Sequence, residues 1–144
     1  MASVERLSIL LTSIAAFAVV LAVDLLYVGL IASQDRPNPT PWVPFFIASY
    51  LLVMALVIAA AVIPRPEILA WRLPLRAAAA AGLLALGLLA AFSIGLPLVI
   101  AGILMLVALT RTRTAGGRWP GALGGAVAVA VLLAGFQLTE GLLL

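Results

Sequence analysis

The chain has 144 residues, 66% of them apolar and 9% charged, with a mean hydropathy of +1.32. A soluble domain is about 45–50% apolar and about 25% charged, so a water-soluble globule is excluded. All eight basic residues are arginine, set against five acids, and histidine and cysteine are absent. No disulfide, zinc site, imidazole catalysis or cysteine nucleophile can be built from this set.

Crossing a hydrocarbon core of ~30 Å takes about 20 apolar residues. The first such run covers 7–32 and carries one charge, Asp24. Met1 to Arg6 ahead of it resembles the start of a signal peptide, but the core of a signal is only about 7–15 residues long, so a retained helix is expected. Ser33 to Pro44 contains four prolines (37, 39, 41 and 44) and reads as a loop. A second apolar run, 44–63, opens on Pro44, where a missing N–H costs nothing, and stops at Pro64-Arg65-Pro66. Pro66 to Pro74 reads as a short interfacial turn of helix between two prolines.

The stretch 75–110 would be about 54 Å long as one helix, far more than one crossing needs. Ser93-Ile94-Gly95-Leu96-Pro97 breaks it, with Gly95 free to take positive φ. Two short helices, 75–92 and 96–110, are expected in a tight hairpin that either crosses fully or is re-entrant. A last helix, 120–143, opens on Pro120. The predicted fold is all-α: one transmembrane domain over 1–144, a polytopic bundle of five transmembrane helices.

Arginine positions bear on the count. With five crossings, Arg6, Arg65, Arg72, Arg76, Arg111, Arg113 and Arg118 fall on one side and Arg36 alone on the other. If 75–110 crossed once, the arginines would divide equally. The positive-inside rule prefers the first arrangement, with the N-terminus cytoplasmic and the C-terminus outside. Trp42 then sits at the outer boundary, and Trp71 and Trp119 at the inner one.

Small residues carry helix contacts in lipid. In the last helix Gly121, Gly124, Gly125, Ala128, Leu132, Gly135 and Thr139 share one face, and Ala122, Ala126, Ala130, Ala134 and Gln137 lie opposite. The spacing Gly117-x-x-x-Gly121-x-x-x-Gly125 fits the same motif. Such faces suit packing within the chain or against another subunit. The third predicted helix, with Ala77 to Ala81, Gly82, Ala85 and Gly87, is similarly thin. The bland reading is a bias toward alanine, glycine and arginine, as expected of a GC-rich bacterial genome.

Asp24 is the only charge deep within a span, about two thirds of the way outward, and intramembrane acids are functional candidates by default. Tyr27 shares its face, the second helix offers Ser49 and Tyr50 at comparable depth, and the fifth offers Gln137 and Glu140. Desolvation favours the neutral acid, which would then donate to Tyr50, Gln137 or a backbone carbonyl. The cluster reads either as a polar clasp holding three helices in register or as a proton- or cation-responsive site opening outward.

On the inner side, Arg65, Arg72, Arg76, Arg111, Arg113 and Arg118 fix orientation and meet anionic lipid head groups, at about 1 kcal/mol per charge. Docking of an acidic partner is the alternative. A net charge of +3 without a soluble domain is no sign of nucleic-acid binding. No phosphate loop, metal-ligand cluster or activated serine is present, and a pair of Asp24 with Glu140 would differ in depth by a turn or more. No catalytic residue, cofactor or metal is therefore expected. The expected function is a non-catalytic, multi-pass protein of a bacterial inner (plasma) membrane, working as an accessory, assembly or stabilising subunit or as a homo-oligomer. A small transporter or channel subunit using Asp24 is the alternative; the absence of an internal repeat counts against it.

Overall fold

Prolines set where the helices begin. The computed structural model describes residues 2–35, 37, 41–112 and 117–141, and these form α1 (Ala2–Ala32), α2 (Trp42–Val62), α3 (Pro66–Leu69), α4 (Arg72–Leu89), α5 (Gly95–Thr110) and α6 (Trp119–Gly141), with no strand among them. Pro44, Pro74 and Pro97 are each the third residue of their helix, Pro120 is the second of α6, and Pro66 opens α3. The first four N–H groups of a helix have no partner within it, so a proline there removes nothing. For that reason Pro74 does not delay α4 to residue 75, as the sequence suggested. The turn of helix expected between Pro66 and Pro74 closes at Leu69, and α4 then starts at Arg72 with Pro74 inside its first turn. The first helix also starts earlier than residue 7, at Ala2, taking Glu5 into its first turn, where an acid suits the helix dipole.

The 75–110 stretch is broken, as its length required. Residues 90–94 turn the chain, with the N–H groups of Ser93 and Gly95 both donating to the Ala90 carbonyl at 2.9 Å. Gly95 does not serve by positive φ, which among the described residues occurs only at Gly117 (φ 82°). It serves by size, because a Cβ there would run into the carbonyl oxygens of Gly87 and Ala90. The hairpin is closed by backbone against backbone.

Contacts across the bundle show that the helix directions alternate. Arg111, just past α5, reaches Ser8 near the start of α1, and Arg76 near the start of α4 reaches Thr112 just past α5. Arg72 donates to the carbonyl of Ile63 at the end of α2 at 3.0 Å. Gly124 of α6 lies on Pro74 of α4, so those two helices run parallel, and Tyr50 of α2 meets Ala128 of α6. Arg65, Arg72, Arg76, Arg111 and Arg118 therefore lie at one end of the bundle.

Helix α4 is central, touching α2, α5 and α6, while α1 packs on α2 and α5, and α6 also meets α2. Half of α4's apolar span is buried (50%), against 17% for both α1 and α6. The reason is its sequence: five consecutive alanines, 77–81, and two glycines make it thin enough to be approached from three sides. Leu51, Ile58, Leu83, Leu86, Leu98 and Met105 fill the space between the helices and are fully buried. Helices α1, α2, α4 and α6 are long and apolar enough to cross a membrane, and α5, at 16 residues, is shorter.

Candidate functional site

Three regions hold the residues singled out from sequence. The first is the seam of α6. Gly121, Ala128, Leu132 and Thr139 are buried on one face of the helix. Gly124 lies against the backbone of Pro74, where an added Cβ would stand 2.9 Å from both the carbonyl carbon and Cα. Gly121 and Gly125 are looser, with nearest approaches of 3.3 Å to Leu73 Cγ and Ala81 Cβ. Gly135 makes room for the ring of Phe46 from α2, which packs edge-on to Phe136 with ring centres 5.6 Å apart. The glycine face of α6 is thus occupied by the chain's own helices. The opposite face, Ala122, Ala126, Ala130, Ala134 and Gln137, is exposed.

The second region is the polar set around Asp24. Asp24 is 9% exposed, and its Oδ1 is sealed without a hydrogen-bond partner among the described residues. Ser13, on the same face of α1, is likewise fully buried with an unpartnered hydroxyl. The contact between Ser8 and Arg111 sets the register of antiparallel α1 and α5. About 24 Å along α1 from that contact, Asp24 lies toward the α4–α5 turn. The acid therefore stands at the turn end of the hairpin.

Among the described residues no hydrogen bond joins Asp24 to the other members of the set. The Tyr50 hydroxyl donates to the Ala128 carbonyl at 3.0 Å, a contact between α2 and α6. That hydroxyl sits over Gly82 of α4, where a Cβ would lie 2.5 Å from it. Tyr27 and Ser49 are half-buried, and Gln137 and Glu140 are exposed. Tyr50 is thus a three-helix clasp of α2, α4 and α6, and Phe46, Phe136 and Gly82 complete it. Sequence reasoning gave Gly82 only a general packing role; its position one residue beyond an alanine run was the available signal.

The third region is the arginine end. Arg65, Arg111 and Arg118 are exposed, Arg72 is half-buried and Arg76 is buried at 6% exposure. Arg113, and Arg36 of the loop after α1, lie outside the described residues. Arg76 donates through Nη1 to the hydroxyl of Thr112, which gives its own proton to the Ala108 carbonyl at 2.8 Å. Among the described residues no cluster of three or more acids suited to a metal ion occurs.

The arrangement is an all-helical bundle among the described residues, with four helices long and apolar enough to cross a membrane. Comparison with protein-family models, with curated proteins and with solved structures finds no match to the chain.

Proposed function

We propose that the chain is a non-catalytic, five-pass membrane protein of a bacterial inner membrane, N-terminus cytoplasmic and C-terminus outside, that acts through helix packing. Its role is that of an accessory, assembly or stabilising subunit of a larger membrane complex, or of a homo-oligomer. The alternating helix directions and the gathering of arginines at one end support five passes. The observation that carries the functional reading is the division of α6. One small-residue face is filled by α2 and α4, and the equivalent face of Ala122, Ala126, Ala130 and Ala134 stands exposed. Small residues on an outer face let a second helix approach closely.

The test is the mass of the mildly solubilised native protein in nanodiscs, alone and with Ala126→Leu and Ala130→Leu combined. The reading expects an assembly larger than one chain that dissociates in the variant while the fold survives. A single-chain mass in the unaltered protein would refute it.

A second reading, a small proton- or cation-coupled transporter or channel subunit, is favoured by one observation: the sealed, unpartnered Oδ1 of Asp24. Asp24→Asn separates the two. Loss of a proton or cation flux in liposomes with the assembly intact supports transport, and loss of assembly or heat stability alone supports the packing role.

A further inference from the structure

The arginines at one end of the bundle are not alike. Arg65, Arg111 and Arg118 are exposed, as charges that set orientation can be. Arg76 is 6% exposed, and its Nε is sealed with no hydrogen-bond partner among the described residues. The Nε of Arg72, one helical turn earlier, is sealed and unpartnered too. Residues four apart on a helix are neighbours, so Arg72 and Arg76 stand one turn apart on the same side of α4.

Both guanidinium groups are held by neutral acceptors. Arg72 Nη2 is fixed by the Ile63 carbonyl at 3.0 Å and Arg76 Nη1 by the Thr112 hydroxyl. Because Thr112 directs its proton to Ala108, it can only accept from Arg76. Among the described residues no carboxylate pairs with either arginine. Nη1 of Arg72 and Nη2 of Arg76 are not sealed, and they donate to nothing among the described residues. Buried charges are ordinarily paired, yet among the described residues neither the buried Arg76 nor the half-buried Arg72 one turn before it meets an anion.

We infer that Arg72 and Arg76 form a built site for a phosphate group, oriented by the Ile63 carbonyl and the Thr112 hydroxyl as positioning groups. A guanidinium is a planar fork that takes two oxygens of an anion at once. A carboxylate has only two oxygens and saturates one fork, whereas a phosphate has enough for both. Trp71 precedes Arg72 directly and Trp119 opens α6 at the same end, so this pair stands at the level of the tryptophan belt, where lipid phosphates lie. A phospholipid head group and a free phosphate ion present the same chemistry, and the experiment distinguishes them.

Purified protein is stripped of lipid in a neutral detergent. Tryptophan fluorescence and thermal unfolding are then followed against two probes, inorganic phosphate and phosphatidylcholine nanodiscs containing phosphatidylglycerol. Native mass spectrometry counts retained lipid. A lipid source predicts retained phosphatidylglycerol that inorganic phosphate does not displace. A free-anion source predicts that inorganic phosphate alone raises the unfolding temperature. Either result supports the site.

Arg76→Gln and Arg72→Gln should each weaken the bound probe about tenfold or more, and Arg118→Gln should leave it unchanged. Arg76→Lys and Thr112→Val provide folded alternatives: the first keeps the charge without the fork, the second keeps the arginine without its orienting acceptor, and both should weaken binding. Binding of neither probe by the unaltered protein overturns the inference. So does an Arg118→Gln loss equal to that of Arg76→Gln, or undiminished binding by Arg76→Lys.

Discussion

Replacing Gly124 by alanine tests how α6 is seated. A Cβ at Gly124 would stand 2.9 Å from Pro74 C and Cα, with the Pro74 carbonyl oxygen nearer still, and all of these are backbone atoms that cannot swing aside. To restore ordinary contact α6 must back away from α4 by roughly 1 Å, and a gap of 0.5–1 Å forfeits about a quarter to a half of each van der Waals well along a seam. Overpacking of this kind costs about 1–3 kcal/mol. The better helix propensity of alanine returns at most about 1 kcal/mol. Gly125→Ala, looser with its nearest approach at 3.3 Å and facing a side-chain methyl of Ala81, should cost much less, as should Gly121→Ala against the flexible Leu73. The assay is reversible unfolding from mixed micelles by titrated dodecyl sulfate, followed by tryptophan fluorescence, for all three variants. Equal stability of Gly124→Ala and Gly125→Ala would refute the close parallel approach of α4 and α6.

Three further outcomes follow from other contacts. Tyr50→Phe keeps the ring but removes the 3.0 Å bond to Ala128, and should lower stability by about 0.5–1.5 kcal/mol in the same titration; no change would show that α2 and α6 are not joined there. Gly135→Ala should cost about 1–3 kcal/mol by meeting the Phe46 ring, and Phe46→Leu should recover part of that loss, with a coupling of about 0.5 kcal/mol or more in the double-mutant cycle. With five passes, Ser93→Cys, in a turn whose side chain is exposed, should react with a membrane-impermeant maleimide from the outer face of intact cells. Labelling only from the cytoplasmic face would overturn the topology. Position 93 is preferable to Gly95, where any side chain collides with the hairpin.

Much of the helix map could be read directly from residues. The proline-rich stretch before Trp42, the break around Gly95 and the length of 75–110 each have one physical outcome, and the helices begin and end within a few residues of those signals. The starting residue of α4 was hidden because proline acts on a helix according to its position, and Pro74 in the first turn is indistinguishable in sequence from Pro74 ahead of it. The buried face of α6 was legible because its glycines and alanines follow the helical period. The polar contacts were not. Periodicity could align Tyr50 with Asp24 in depth, but which neighbour Tyr50 faces depends on how α2 is rotated against α4 and α6, and a single sequence carries no record of that rotation. Nor was the burial of Arg76, which the sequence grouped with the orienting arginines; its one signal is its place directly before the alanine run, where α4 is packed by both α5 and α6.

The rods of this bundle differ greatly in length. At 31 residues α1 runs to about 46 Å, and α5 at 16 residues to about 24 Å, at 1.5 Å per residue. A flat slab of oil ~30 Å thick cannot match both. With five passes, lipid tails beside the short hairpin would draw in while α1 leaned over or protruded, at a cost of fractions of a kcal/mol per ångström of mismatch. On that reading, a membrane already thin on the side of α4 and α5 is the one that five passes would deform least.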